Sequence, residues 1–160
     1  MREIIYQPIG IVHSPFKQLV GMPVQPAGAK GQKGCIEIFR EYEKGLKDIE
    51  GFSHLIALYH FHKMTTWTAE VVPYMDDKPH GIFATRAPAR PNAIGISILK
   101  LLERERNFLY MEELDILDQT PVLDIKQFFG PYDNRDHVCS GWLDTVSKTP
   151  GNIVADNRFV

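Results

Sequence analysis

The spacing of its apolar runs constrains this chain more than any other feature. Short stretches of β-type residues recur between glycines and prolines: IIYQPIGIV (4–12), GCIEIF (34–39), HLIALYHFH (54–62), HGIFAT (80–85), AIGISILKL (93–101), FLYMEEL (108–114), PVLDIKQFF (121–129) and HVCSGWL (137–143). Runs of this length and residue type read as strands. A parallel sheet needs crossover connections of a dozen or more residues, usually helical, and no amphipathic helix of that length separates these runs. The pattern predicts a mainly β protein, a small antiparallel or mixed barrel with short helices, and not a Rossmann-type doubly wound sheet. Tyr42, Leu46 and Ile49 at helical spacing predict one short helix over residues 40–52, and a second helical turn is expected over 65–72, ending before Pro73.

With 160 residues, 44% of them hydrophobic, the chain can bury one sizeable core. We expect a single domain over residues 1–160, with a core of about 6–146 and a tail over 147–160. Lys and Arg number 18 against 20 Asp and Glu, so affinity for nucleic acid must come from a local patch rather than from the field of the whole molecule. The N-terminus lacks the pattern of a signal peptide, and no run approaches the ~18 apolar residues of a bilayer span. Cys35 and Cys139 are too few for a disulfide framework or a metal knuckle, which suits a reduced, cytoplasmic protein. Loops are expected over 19–34, 75–79 and 130–136, the first long enough to suggest a functional role.

The stiffest polar segment is GIFATRAPARPNAIGIS (81–97). Ala87 and Arg90 precede prolines and are pushed out of the helical region, while Pro88 and Pro91 fix their own φ. A stiff, extended segment presents Arg86 and Arg90 with little entropy left to lose, and guanidinium forks suit phosphate, carboxylate or stacked bases. A rigid connector whose arginines pair with surface carboxylates is the alternative. Asn92 can read the edge of a base, or close an Asx-turn.

In LDQTPVLDIKQFF, Asp118 and Thr120 fall in a turn and Pro121 opens a strand. Asp124 and Lys126 share one strand face, as a salt bridge on a solvated surface or, if that face lines a cavity, with Asp124 as a base. His54, His60 and His62 alternate on another strand, but a zinc site needs further ligands, and no metal is expected. The glycines around Lys30 and Lys33 match neither a P-loop nor a dinucleotide fingerprint, and no nucleophile elbow is present.

IGIVHSPF, QPAG, FSHLIALYHFH, GIFATRAPARPNAIGIS and DQTPVLDIKQF, in that order from Ile9 to Phe128, resemble the TsaA-like family, also called TrmO or YaeB. The most specific part is the ATR-x-x-x-RPN-x-IG-x-S block followed by D-x-TPV-x-DIK. This resemblance implies a β-barrel methyltransferase, usually dimeric, that uses S-adenosyl-L-methionine and methylates N6 of threonylcarbamoyladenosine at position 37 of tRNA, beside the anticodon. It implies cofactor contacts from Gln25, Pro26, Ala27, His62, Lys63, Arg86, Ile96, Asp118, Gln119, Thr120 and Pro121. Gln119 stands where many relatives carry glycine, and Ala93 where many carry proline. Arg90, Asn92 and Lys126 are assigned to the substrate, Asn92 orienting the base.

The acceptor nitrogen belongs to a urea-like group and needs a base, either the substrate's own carboxylate or a side chain of the protein, for which Asp118 and Asp124 are the candidates. Larger members carry a C-terminal domain that assists tRNA binding, and the residues after Phe129 are too few to supply one. Other acceptors therefore stay open: a small molecule, another RNA, or none in a module that only binds adenosyl cofactors. A metal-dependent hydrolase built on the three histidines is the remaining reading.

Overall fold

The computed structural model describes residues 3–146 and 150–159. Residues 147–149 and 160 of the expected tail, and residues 1 and 2 of the expected domain, lie outside that description. Six strands close into an antiparallel barrel: β1 (Gly10–His13), β2 (Lys33–Ile38), β3 (His54–His60), β6 (Ile94–Glu105), β7 (Phe108–Glu112) and β8 (Pro121–Gln127), in the order β1-β2-β7-β6-β3-β8, with β8 returning to β1. Between β3 and β6 the chain makes a two-stranded ribbon from β4 (Glu70–Val71) and β5 (His80–Gly81).

Two-residue alternation decides what faces inward. Leu55, Ala57 and Tyr59 of β3 point into the barrel, as do Ser97 and Leu99 of β6, Leu109 and Met111 of β7, Val12, Ile36, Ile38 and Val122. Most of these are aliphatic, so the interior is a packed core rather than a channel. Two smaller apolar clusters lie outside it. Val71, Ile82, Ala87 and Ala89 form one; Met22, Leu117 and Ala155 form the other, with Tyr74 packed against it.

The expected barrel is present, with several local differences. Residues 40–52 fold as two 3-10 helices, Arg40–Leu46 and Ile49–Gly51, because Asp48 between them takes a left-handed conformation (φ 68°) that breaks a continuous helix. The turn expected over 65–72 is instead loop leading into β4. HGIFAT pairs only through His80–Gly81 before a 3-10 turn, Ile82–Ala84, and HVCSGWL is no strand: its end enters a 3-10 helix, Gly141–Thr145. Within the expected 130–136 loop lies one α-helical turn, Gly130–Asp133. Short runs without a neighbouring strand edge have no ladder to join, whatever their residue type.

Candidate active site

One end of the barrel opens into a cavity of about 690 Å³, within the range of small-molecule sites. Its walls come from parts of the chain far apart in sequence: the first loop around Gln25, the end of β3, the 83–90 segment, the 115–120 turn and the C-terminal residues 153–159. The tail is held by a short antiparallel pairing, with Gly21 N–H donating to the Ala155 carbonyl and Ala155 N–H to that of Met22, both at 2.8 Å. Phe159 meets Tyr74 edge-on at 5.3 Å, and Arg158 donates to the Pro73 carbonyl at 2.6 Å.

Two buried polar residues, Asp115 and Tyr59, line the cavity, and a third, Ser97, lies behind them. Ser97 Oγ donates to Asp115 Oδ1 at 2.7 Å, and Tyr59 OH lies 3.1 Å from Ser97 Oγ. The serine hydrogen is committed to the carboxylate, so the tyrosine donates to the serine. Asp115 is only 6% exposed. Burial pushes its carboxyl up to about 7, against the pull of the Ser97 and backbone hydrogen bonds and of the Arg86 charge. Burial and the Asp115 charge likewise push the Tyr59 phenol well above its usual range. The Tyr59 ring packs against Gly95, where no side chain could fit without shifting the ring.

Of the residues expected at the site, the cavity brings together Gln25, His62, Lys63, Arg86, Arg90, Ile96 and Thr120. Arg86 Nη1 donates to Gln25 Oε1 at 3.2 Å, joining the first loop to the arginine segment. Thr120 Oγ1 lies 3.3 Å from His62 Nδ1. Burial lowers the His62 pKa, and the charges of Lys63 and His60 add to this, so the imidazole enters the cavity neutral at pH 7. Arg90 is turned to structural use: its Nη1 donates to the carbonyls of Ile82, Thr85 and Ala87, at 3.1, 2.8 and 3.4 Å. Those bonds fix the 82–87 backbone and so aim Arg86.

The remaining expected residues stand outside the cavity wall. Pro26 and Ala27 form a 3-10 turn behind Gln25. Asp118 accepts from Ser14 N–H at 2.9 Å and pairs with Lys17 Nζ at 2.7 Å. Burial alone would raise that carboxyl, but Lys17, Ser14 and Gln119 together hold it below its usual range. Gln119 adopts φ 62°, the left-handed conformation that glycine favours, and the turn it makes delivers Thr120 ahead of Pro121. Asn92 is exposed, in a bend.

Asp124 and Lys126 pair with each other at 2.6 Å. They lie opposite Leu58 and Ile56 on the outer face of the barrel, which inward-facing chemistry cannot use. His54 bonds Ser53 at 2.9 Å and meets the Phe128 ring, and His60 is exposed. Among the described residues no group of three or more His, Cys, Asp or Glu could hold a metal.

Sequence reading missed Asp115, Ser97 and Tyr59, and also Phe83 and Trp142. A signal existed for Asp115, a lone carboxylate inside the apolar run Leu114–Leu117, where an unpaired charge is costly unless it has a task. Phe83 stands 79% exposed at the cavity mouth, with the Arg90 guanidinium 5.8 Å from its ring centre. Trp142 stacks on His80 at 4.1 Å and donates from Nε1 to the Ala84 carbonyl at 2.9 Å.

A closed antiparallel barrel whose cavity sits at its rim, with no phosphate-binding glycine loop, defines a class of ligand-binding β-barrel distinct from the doubly wound nucleotide binders. The chain belongs to the tRNA-methyltransferase O N-terminal domain family, whose model matches residues 11–134. It is 52% identical, over 98% of its own length and 85% of the other's, to a probable S-adenosyl-L-methionine-binding protein of Pyrococcus abyssi. It is 37% identical to the tRNA (adenine(37)-N6)-methyltransferase of Mus musculus, covering 85% of this chain and 33% of that protein. The crystal structure of TrmO from Pseudomonas aeruginosa superposes with a TM-score of 0.74 at 32% identity, over 88% of this chain and 62% of that one.

Proposed function

We propose that this protein transfers a methyl group from S-adenosyl-L-methionine to N6 of an adenosine in tRNA, with threonylcarbamoyladenosine at position 37 as the acceptor. One observation carries this reading: a cavity of cofactor size that gathers Arg86, Gln25, His62 and Thr120 around a buried carboxylate, in a chain of this family. The donor set fits the cofactor's chemistry. Arg86 and Lys63 offer cations to its carboxylate, Gln25 and Thr120 offer hydrogen bonds to amino and hydroxyl groups, and Leu117, Tyr74 and Met22 offer apolar contact to a purine. When bound, the cofactor supplies an electrophilic methyl group. The chain's task is then alignment and exclusion of water, which the tail and the Arg90-braced segment perform by walling the cavity. Labelled methyl incorporation into tRNA, with nucleoside mass spectrometry of the product, tests the reading; incorporation into small metabolites alone would redirect it.

Phe83 is suited to stack the acceptor base at the cavity mouth, since base-on-aromatic stacking needs an exposed ring on a rigid support. Phe83→Ala is expected to weaken tRNA binding by about 1–3 kcal/mol while cofactor binding, followed by calorimetry, stays unchanged. Equal tRNA affinity in the two proteins would remove the ring from the interface.

A second copy of the chain is the partner proposed for the outer face of β3 and β6. Ile94, Ile96 and Ile98 are 39, 46 and 40% exposed there, and Ile56 and Leu58 lie across from Ile98 and Ile96. Such a stripe is best covered, and Ile96 carries it to the cavity edge. Ile98→Asp is expected to convert a dimer to a monomer in sedimentation; a wild type that sediments as a monomer would refute the dimer.

A further inference from the structure

We propose that Asp115 is the proton acceptor of the methyl-transfer step and that Ser97 is the positioning residue that holds its carboxylate. The inference rests on the functional reading above and assigns the base that reading requires. Asp118 and Asp124 are tied to Lys17 and Lys126, outside the cavity wall. Asp115 is the one carboxylate lining the cavity among the described residues. Among those residues it has no lysine or arginine within ion-pair distance, and its side-chain donor is the Ser97 hydroxyl, backed by Tyr59.

A structural buried carboxylate is ordinarily neutralised by a cationic partner. One held instead by a hydroxyl relay, facing open space at a ligand cavity, keeps a lone pair for a proton and is restrained in orientation. The groups that face it are Ser97 from β6, Tyr59 from β3 and the more distant Arg86 from the 83–90 segment, with His62 and Lys63 on the same cavity. None of them donates a full charge at contact.

The step balances without another reactant. The N6 lone pair forms the new N–C bond as the C–S bond breaks and its electron pair stays on sulfur. The N6 proton passes to Asp115, which releases it to solvent after product leaves. The phenol and serine hydroxyl keep their own protons and only hold the acceptor.

The test is the pH dependence of methyl transfer to tRNA, from about pH 6 to 9, for wild type, Asp115→Asn and Ser97→Ala, with cofactor affinity measured by calorimetry on each. The wild-type kcat should rise with pH along an acid limb. Asp115→Asn should lose about 10²–10⁴-fold in kcat, lack that limb, and bind cofactor within about threefold of wild type. Ser97→Ala removes a bond to the charged form, so its limb should move to higher pH. This second variant keeps the inference testable should Asp115→Asn fail to fold. An Asp115→Asn enzyme that retains its rate or its limb overturns the inference, as does a Ser97→Ala limb that stays in place. Wild-type protein that transfers no methyl group to tRNA overturns the functional reading itself, and the role of Asp115 with it.

Discussion

Asp115→Asn is expected to stabilise the folded protein at pH 8 by up to about 4 kcal/mol, even as it removes the proposed base. The folded-state pKa of Asp115 is raised to about 7 from an ordinary 3.8, so the native protein holds a proton that the unfolded chain gives up. Stability then falls as pH rises between about 4 and 7, because the unfolded state binds fewer protons there. Roughly three pKa units at 1.36 kcal/mol each set the upper size of the effect. Asparagine is isosteric, accepts from Ser97 through its Oδ1, and has no charge to desolvate. Chemical denaturation of both proteins at several pH values checks this: the curves should coincide near pH 4 and separate towards pH 8. Parallel curves across that window would mean that Asp115 titrates alike in both states. A gain of stability joined to a loss of rate is the usual signature of a residue kept for function.

Gly95→Ala should produce the other large effect, in the opposite direction. A Cβ at this position would lie 2.3 and 2.5 Å from Cε2 and Cζ of Tyr59, and 2.9 Å from Phe61 Cζ. The Tyr59 ring cannot easily retreat: it is 6% exposed, meets Phe61 edge-on at 5.4 Å, and its hydroxyl is bonded to Ser97. Overpacking of this kind costs about 1–3 kcal/mol, and displacement of the ring adds the loss of a buried hydrogen bond, about 1 kcal/mol. Thermal unfolding should therefore shift down by about 5–10 °C. Catalysis should fall more steeply than stability, since the relay behind Asp115 is broken in the molecules that remain folded. An alanine variant that melts with the wild type would show that the ring moves aside freely.

The arginine segment shows how far local chemistry reads through to structure. Its prolines do make it stiff, and Arg86 does reach the cavity. The hydrogen bonds of Arg90 to the carbonyls of Ile82, Thr85 and Ala87 are not legible in the sequence, because those carbonyls converge on it around the 3-10 turn Ile82–Ala84. Lys126 and Asp124 were correctly placed on one face by alternation. Which face that is depends on β8 pairing with β3 in a given register, with Leu123 left out by the irregularity at Leu58 and Tyr59.

The class of fold, the DQTP turn and the stiffness of the 86–91 segment are legible in the order of residues alone, since all of them follow from neighbours within a few positions. Which carboxylate lines the cavity is settled by long-range packing. Asp115, Asp118 and Asp124 lie within ten positions of one another, and nothing local separates them. Barrel closure pairs β3 with β6, Ser97 of β6 bonds Asp115, and the C-terminal tail pairs with residues 21–24 to wall the cavity. Those contacts join residues from distant parts of the chain, and burial, which comes only from assembling them, is what turns Asp115 from a surface charge into a proton acceptor.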